Sequence, residues 1–227
     1  MMTAPAGLGN QLIQRAERMI DGLLRRWRTP QVNTAAGLAA FLDQNASLIA
    51  QKTVIGYCHV KTNMPLGELL QDKPFFDAFE VARWEAFAVV LADLVMVAET
   101  YLRPLAGGRL PALADRLAGL YREILAGHPL PAQRPDGWGA EVESVRARLA
   151  AAQETLPQSI GEIAEISARR LYDALPIHER LREPDQPAVE ASVRFMMVGL
   201  AHKFNGSLDL PAIAADLLAQ SAVPETA

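Results

Sequence analysis

Cysteine is almost absent from this chain of 227 residues: Cys58 stands alone, which rules out an internal disulfide and points to a reducing compartment. Lysine is scarce too, with 4 lysines among 22 basic residues; the other 18 are arginine, and 26 acids bring the net charge to −4. A nucleic-acid-binding domain is normally basic overall, so a nucleic-acid partner is not expected. Charged residues make up 21% and hydrophobic residues 50%, too much apolar surface for intrinsic disorder. Long apolar runs are missing. The longest, Ala86 to Ala98, is broken by Asp93 and falls short of the roughly 20 residues that span a bilayer. Near the N-terminus, Arg15, Glu17, Arg18 and Asp21 interrupt the apolar residues that follow Leu12, so no secretory leader is expected. These absences describe a cytoplasmic protein, with peripheral attachment to a membrane as the variant.

Short catalytic signatures are missing as well. The chain has no G-x-S-x-G elbow, no phosphate-cradling G-x-x-x-x-G-K and no G-x-G-x-x-G. Its four histidines, His59, His128, His178 and His202, are not preceded three residues earlier by glutamate, and no two are spaced for a zinc pair. No metal, no cofactor and no catalytic residue is therefore assigned. Cys58 and His59 are adjacent, but neighbours on a helix diverge by about 100° and on a strand point oppositely, so they cannot act as nucleophile and base for each other.

What is present favours helix. Alanine occurs 38 times and leucine 30 times, while aromatics are only 6%. Leu12, Ile13, Ala16, Met19, Ile20, Leu23, Leu24 and Trp27 recur at helical spacing and predict a first helix over about 9–28, ended by Pro30. Asn33 or Thr34 suits the cap of a second, with Leu38, Phe41, Leu42, Leu48 and Ile49 inward. The β-branched stretch 53–60 has no partner strand in the sequence and is read as helix. Residues 75–102 are apolar on most of their circumference, the pattern of a long central helix enclosed by others. Pro104 and the Gly107-Gly108 pair end it, and Pro111 opens the next. Residues 127–139, rich in proline and glycine, form a long loop. Asp136 is positioned to cap a helix whose seam reads Trp138, Val142, Val145, Leu149, Ala152 and Leu156. Ser159 and Glu162 fit a capping box that starts a helix burying Ile160, Ile163, Ile166, Leu171 and Leu175. After a polar turn at 182–187, Val189, Val193, Met196, Met197, Leu200 and Phe204 define another helix, closed at Asn205-Gly206, and a last one begins near Pro211. The expected fold is all-α: a single compact helical bundle or array of about eight helices over residues 1–227, with a candidate hinge at 104–111.

Two groups of residues stand out as sites. Stepping about 100° per residue from Glu85 puts Asp93 near 80° and Glu99 near −40°, so three acids share one sector of the most apolar helix. Either they meet solvent or an arginine such as Arg83 or Arg169, or they form a ligand-binding site between helices, with His59 or His202 nearby. The first helix carries Arg25, Arg26, Trp27 and Arg28 at the end of an apolar face, a pattern for docking on a protein partner or an anionic membrane surface, or for plain packing on the core. The 127–139 loop adds His128, Arg134 and Trp138 as loop contacts. The leading functional expectation is a non-catalytic helical binding or adaptor protein. The alternative is a carrier of a small apolar ligand or lipid, or an enzyme, with an interhelical site near Glu85 and Asp93.

Overall fold

The structure is a computed structural model that describes residues 32–220. The first predicted helix, with Arg25, Arg26, Trp27 and Arg28, lies outside the described residues. The described residues belong to one compact unit and are almost entirely helical, as the alanine and leucine content requires.

Helix α1 (Ala35–Thr62) begins at Thr34, whose side chain accepts the N–H of Gly37, and ends at Asn63 in the left-handed conformation. The β-branched stretch 53–60 lies inside it; Thr53 turns its hydroxyl back to the Ile49 carbonyl at 2.9 Å. Leu38, Leu42, Ala46, Ile49 and Val54 face the core, but Leu48 is exposed, because it falls about 80° off the Leu38 direction on the side away from Ala46. After the single turn α2 (Leu66–Leu69), α3 (Lys73–Leu102) opens with Pro74 in its first turn. Every residue of α3 from 86 to 99 is buried. Such enclosure needs neighbours on many sides, and α1, α6 (Ile160–Ala174), α4 (Leu110–Ala126), α5 (Gly139–Gln153) and α9 (Leu210–Gln220) all pack on it.

The candidate hinge at 104–111 is the end of a 3-10 turn (Arg103–Leu105), a left-handed Gly107 and the start of α4 with Pro111. The next loop is longer, as expected, but α5 starts at Gly139 behind Trp138 and not behind Asp136. A turn closed by Gly137 N–H to the Arg134 carbonyl, with Gly137 at φ +75°, delays the helix by one more step. Helix α5 also stops at Gln153, so Leu156, the last seam position, is 88% exposed beyond its end.

The capping box at Ser159 and Glu162 is formed in both directions and launches α6. Residues 179–185 are a turn of α-helix, α7 (Glu179–Arg182), running through a 3-10 turn into α8 (Gln186–Ser207), so the polar turn is itself helical. Helix α8 continues through Gly206 and packs on α6.

Between α8 and α9 the chain meets Val32, which precedes α1. The Val32 N–H donates to the Ser207 carbonyl at 3.0 Å and the Val32 carbonyl accepts from Asp209 N–H at 2.7 Å, an isolated parallel bridge. Val32 then lies over the first turn of α1, where a Cβ on Gly37 would come 2.7 Å from Val32 Cγ1. Alanine is the better helix former by about 1 kcal/mol, yet its Cβ would have to displace the Val32 side chain and would crowd the capping Thr34 Oγ1 at 3.1 Å. Gly37→Ala is therefore expected to lower stability, by about 1–3 kcal/mol in urea unfolding. A gain in stability would show that Val32 yields freely.

Candidate functional site

Each of the three candidate acids on α3 meets an arginine; Glu99 takes the nearest in sequence, Arg103, but Glu85 and Asp93 do not take theirs. Arg83 is engaged with Glu80 at 2.7 Å and lies over the Trp84 ring, while Arg169 pairs with Asp173 and Glu190. The arginines that serve Glu85 and Asp93 come from the long loop and from α5.

Glu85 receives Arg134 from the loop, through Nε at 2.8 Å and Nη2 at 2.6 Å. The same guanidinium donates to Glu141 of α5 and stacks over Trp138, its centre 4.7 Å from the ring. One loop arginine thus ties α3 to α5. His128, at the other end of the loop, bonds Asp43 of α1 at 2.9 Å and sets its ring edge-on against Trp84 and Phe87. The loop is pinned at both ends.

Asp93 is fully buried. Arg148 of α5 donates Nη2 to Oδ1 at 2.6 Å, and the backbone N–H of Ser167 on α6 donates to Oδ2 at 3.0 Å. Burial pushes the carboxyl up from the ordinary aspartate range, while Arg148 and the Ser167 contacts pull it back. Glu99 has a different task. It holds Arg103 at 2.8 Å, and Arg103 donates to the carbonyls of Ala152 and Thr155, satisfying groups left over at the end of α5.

Glu85 and the Arg148 head share a cleft between α3, α5 and α6, of about 560 Å³. It exists because α3 presents Ala88 and Ala92 there, one turn apart, where larger side chains would close the gap. Tyr121 of α4 stands in its wall, its hydroxyl donating to the Ala88 carbonyl at 3.2 Å. Ile166, expected in the core, is instead half open along this cleft. Glu141, Ser144 and Arg148 of α5 and Arg170 and Asp173 of α6 complete the polar lining. The cleft contains Glu85 and lies over Asp93 through Arg148; Glu99, His59 and His202 are not among its lining residues.

Sequence reasoning missed Arg148, Arg170 and Glu141. Their signal is a polar stripe, Glu141, Ser144 and Arg148 at helical spacing, beside the apolar seam of α5. Elsewhere, Cys58 is buried, with its thiol pushed up to about 11 by desolvation, and His59 next to it is exposed. No cluster of three or more metal-ligating side chains occurs among the described residues, and no described helix is long and apolar enough to cross a membrane.

The fold and site define an all-α array with an arginine-lined interhelical cleft. Compared with known proteins, the chain matches no family model, no curated protein and no solved structure.

Proposed function

We propose that this protein binds a small molecule in the cleft between α3, α5 and α6. The observation that carries the reading is the convergence of Arg134, Arg148 and Arg170 on an open cavity of about 560 Å³ with apolar walls at Ala88, Ala92 and Ile166. Ligand sites commonly fall at roughly 300–1,000 Å³, with mostly apolar walls and a few placed polar groups. The floor supports the same reading. A buried ion pair such as Asp93–Arg148 is a poor source of stability, since apolar residues of similar volume do as well or better. Its place in the middle of the most enclosed helix is accounted for if it positions a guanidinium for a ligand.

The test uses the full chain. Amide resonances of Val89, Ala92 and Ser144 are expected to shift when a mixture of small metabolites is added, and not to shift in Ser144→Trp, where the exposed Ser144 is replaced by a side chain that fills the cleft. A spectrum unmoved by the mixture, or moved equally in the variant, would overturn the reading.

The adaptor reading stands second, on one specific observation. Helix α8 turns Ala188, Ala191, Phe195, Val198 and Gly199 to solvent without a charge among them, and Phe195 is 80% exposed. An apolar surface on a protein partner is the complement of such a stripe.

A further inference from the structure

Resting on the cleft as a ligand site, we infer that the ligand's anchoring group is an oxyanion, a carboxylate or a phosphate, received between Arg148 of α5 and Arg170 of α6. The inference comes from counting which donors are already spent. A guanidinium carries five N–H donors. Arg134 makes four hydrogen bonds, to both oxygens of Glu85 and to Glu141, and keeps at most one Nη1 proton to spare. Arg148 spends Nη2 on Asp93 and makes no other hydrogen bond among the described residues; its side chain stays 20% exposed, on the cleft side. Arg170 lines the same cleft, is exposed, and makes neither an ion pair nor a hydrogen bond among the described residues. Two facing helices therefore bring guanidinium groups with unspent donors to one cavity.

Asp93 is the positioning residue. Its carboxylate is held from one side by the Ser167 N–H of α6 and grips Arg148 from the other, so the guanidinium of α5 is fixed relative to the helix that carries Arg170. Ser167 and Arg170 are three residues apart on α6, so they lie on adjoining parts of its surface. Tyr121, in the wall, lines the same cavity as Arg134, Glu141, Arg148 and Arg170.

Charge then orients the ligand. At the other end, Glu85, Arg134 and Glu141 sum to one negative charge, and Glu141 Oε2 is buried there without a hydrogen-bond partner. An anion is repelled from that end, whereas at the other Arg148 and Arg170 balance Asp93 and Asp173, the latter also engaged by Arg169 at 3.3 Å, so an oxyanion meets unspent N–H donors there without a surplus of negative charge. Counting Asp93 and Asp173, four acids stand against three arginines, so the cleft favours a single oxyanionic head over a polyanion.

The experiment titrates full-length protein at low ionic strength with acetate, acetamide and inorganic phosphate, following the Val89, Ala92 and Ser144 amides. Acetate or phosphate is expected to bind, acetamide not, and Arg170→Gln to weaken binding about tenfold or more. Arg170 makes no ion pair or hydrogen bond among the described residues, so the variant should keep the wild-type melting temperature. Arg146→Gln, whose side chain pairs with Glu143 and does not line the cleft, should bind like wild type. The stronger of acetate and phosphate identifies the head group. Equal binding by Arg170→Gln would overturn the inference. So would cleft shifts with acetamide but with neither anion, a result that leaves the cleft a ligand site; silence with these probes and with the metabolite mixture would overturn both.

Discussion

Replacing Arg148 with methionine is expected to destabilise the protein by about 3–5 kcal/mol near neutral pH, read from urea unfolding. The carboxylate of Asp93 is the reason. It is fully buried, and among the described residues Arg148 is the one cation that pairs with it, so losing the guanidinium leaves a negative charge without its counter-charge inside the array. Methionine restores most of the volume, which limits the contribution of an empty space. The same substitution in an Asp93→Asn background should be far less damaging, because no charge is then stranded. A loss of equal size in both backgrounds would show that Arg148 matters through its packing alone.

The pH dependence separates these causes again. Burial already raises the Asp93 carboxyl above its ordinary range, and Arg148 opposes that rise. Without Arg148 it rises further. A carboxyl raised in the folded state keeps its proton over an interval in which the unfolded chain has released it, so stability falls as pH increases through that interval. The deficit of Arg148→Met against the native protein should thus be small below the unfolded aspartate value of about 3.9 and reach its full size above the raised folded value. Unfolding at about pH 3.5 and about pH 7.5 brackets the change. A deficit independent of pH would mean that Asp93 is not the group responsible.

The helices were legible because their signals are local. Proline and glycine at 65, 74, 104, 107 and 111 punctuate the chain where the structure turns, and Ser159 with Glu162 names a helix start from four residues alone. The three acids on α3 were legible for the same reason, since their shared sector follows from the helical period. The partners of Glu85 and Asp93 were not. Arg134 lies 49 residues from Glu85, and Arg148 lies 55 from Asp93, so only the packing of the loop and α5 on α3 decides which arginine arrives. Arg83 is close to Glu85 in sequence, yet on α3 it is used by Glu80, one turn back. The cleft was illegible for a related reason. Alanine at 88 and 92 reads as good helix former, and only the position of α5 and α6 shows that these small side chains leave room. Ile166 counts as core on periodicity but is half open because the cleft, not another helix, lies beside it.

Helix α8 offers the second large effect, a contrast within one element. Phe204→Ala is expected to cost about 3–5 kcal/mol, the usual range for deleting a buried phenylalanine. Phe204 is fully buried and joins three helices: its ring meets Phe41 of α1 edge-on at 5.3 Å and stacks on Tyr101 of α3 at 5.4 Å. Tyr101 in turn donates to the Ala201 carbonyl at 3.3 Å, one turn before Phe204, so the ring also sets the register of α8 on α3. Phe195, nine residues earlier on the same helix, is 80% exposed. Nine steps of about 100° leave the two rings about 180° apart, on opposite faces. Phe195→Ala is therefore expected to change stability by no more than about 0.5 kcal/mol. Urea unfolding of both variants measures the difference directly. A large loss from Phe195→Ala would show that the stripe of Ala188, Ala191, Phe195 and Gly199 is covered in the intact protein, whereas a neutral result leaves that face free for a protein partner.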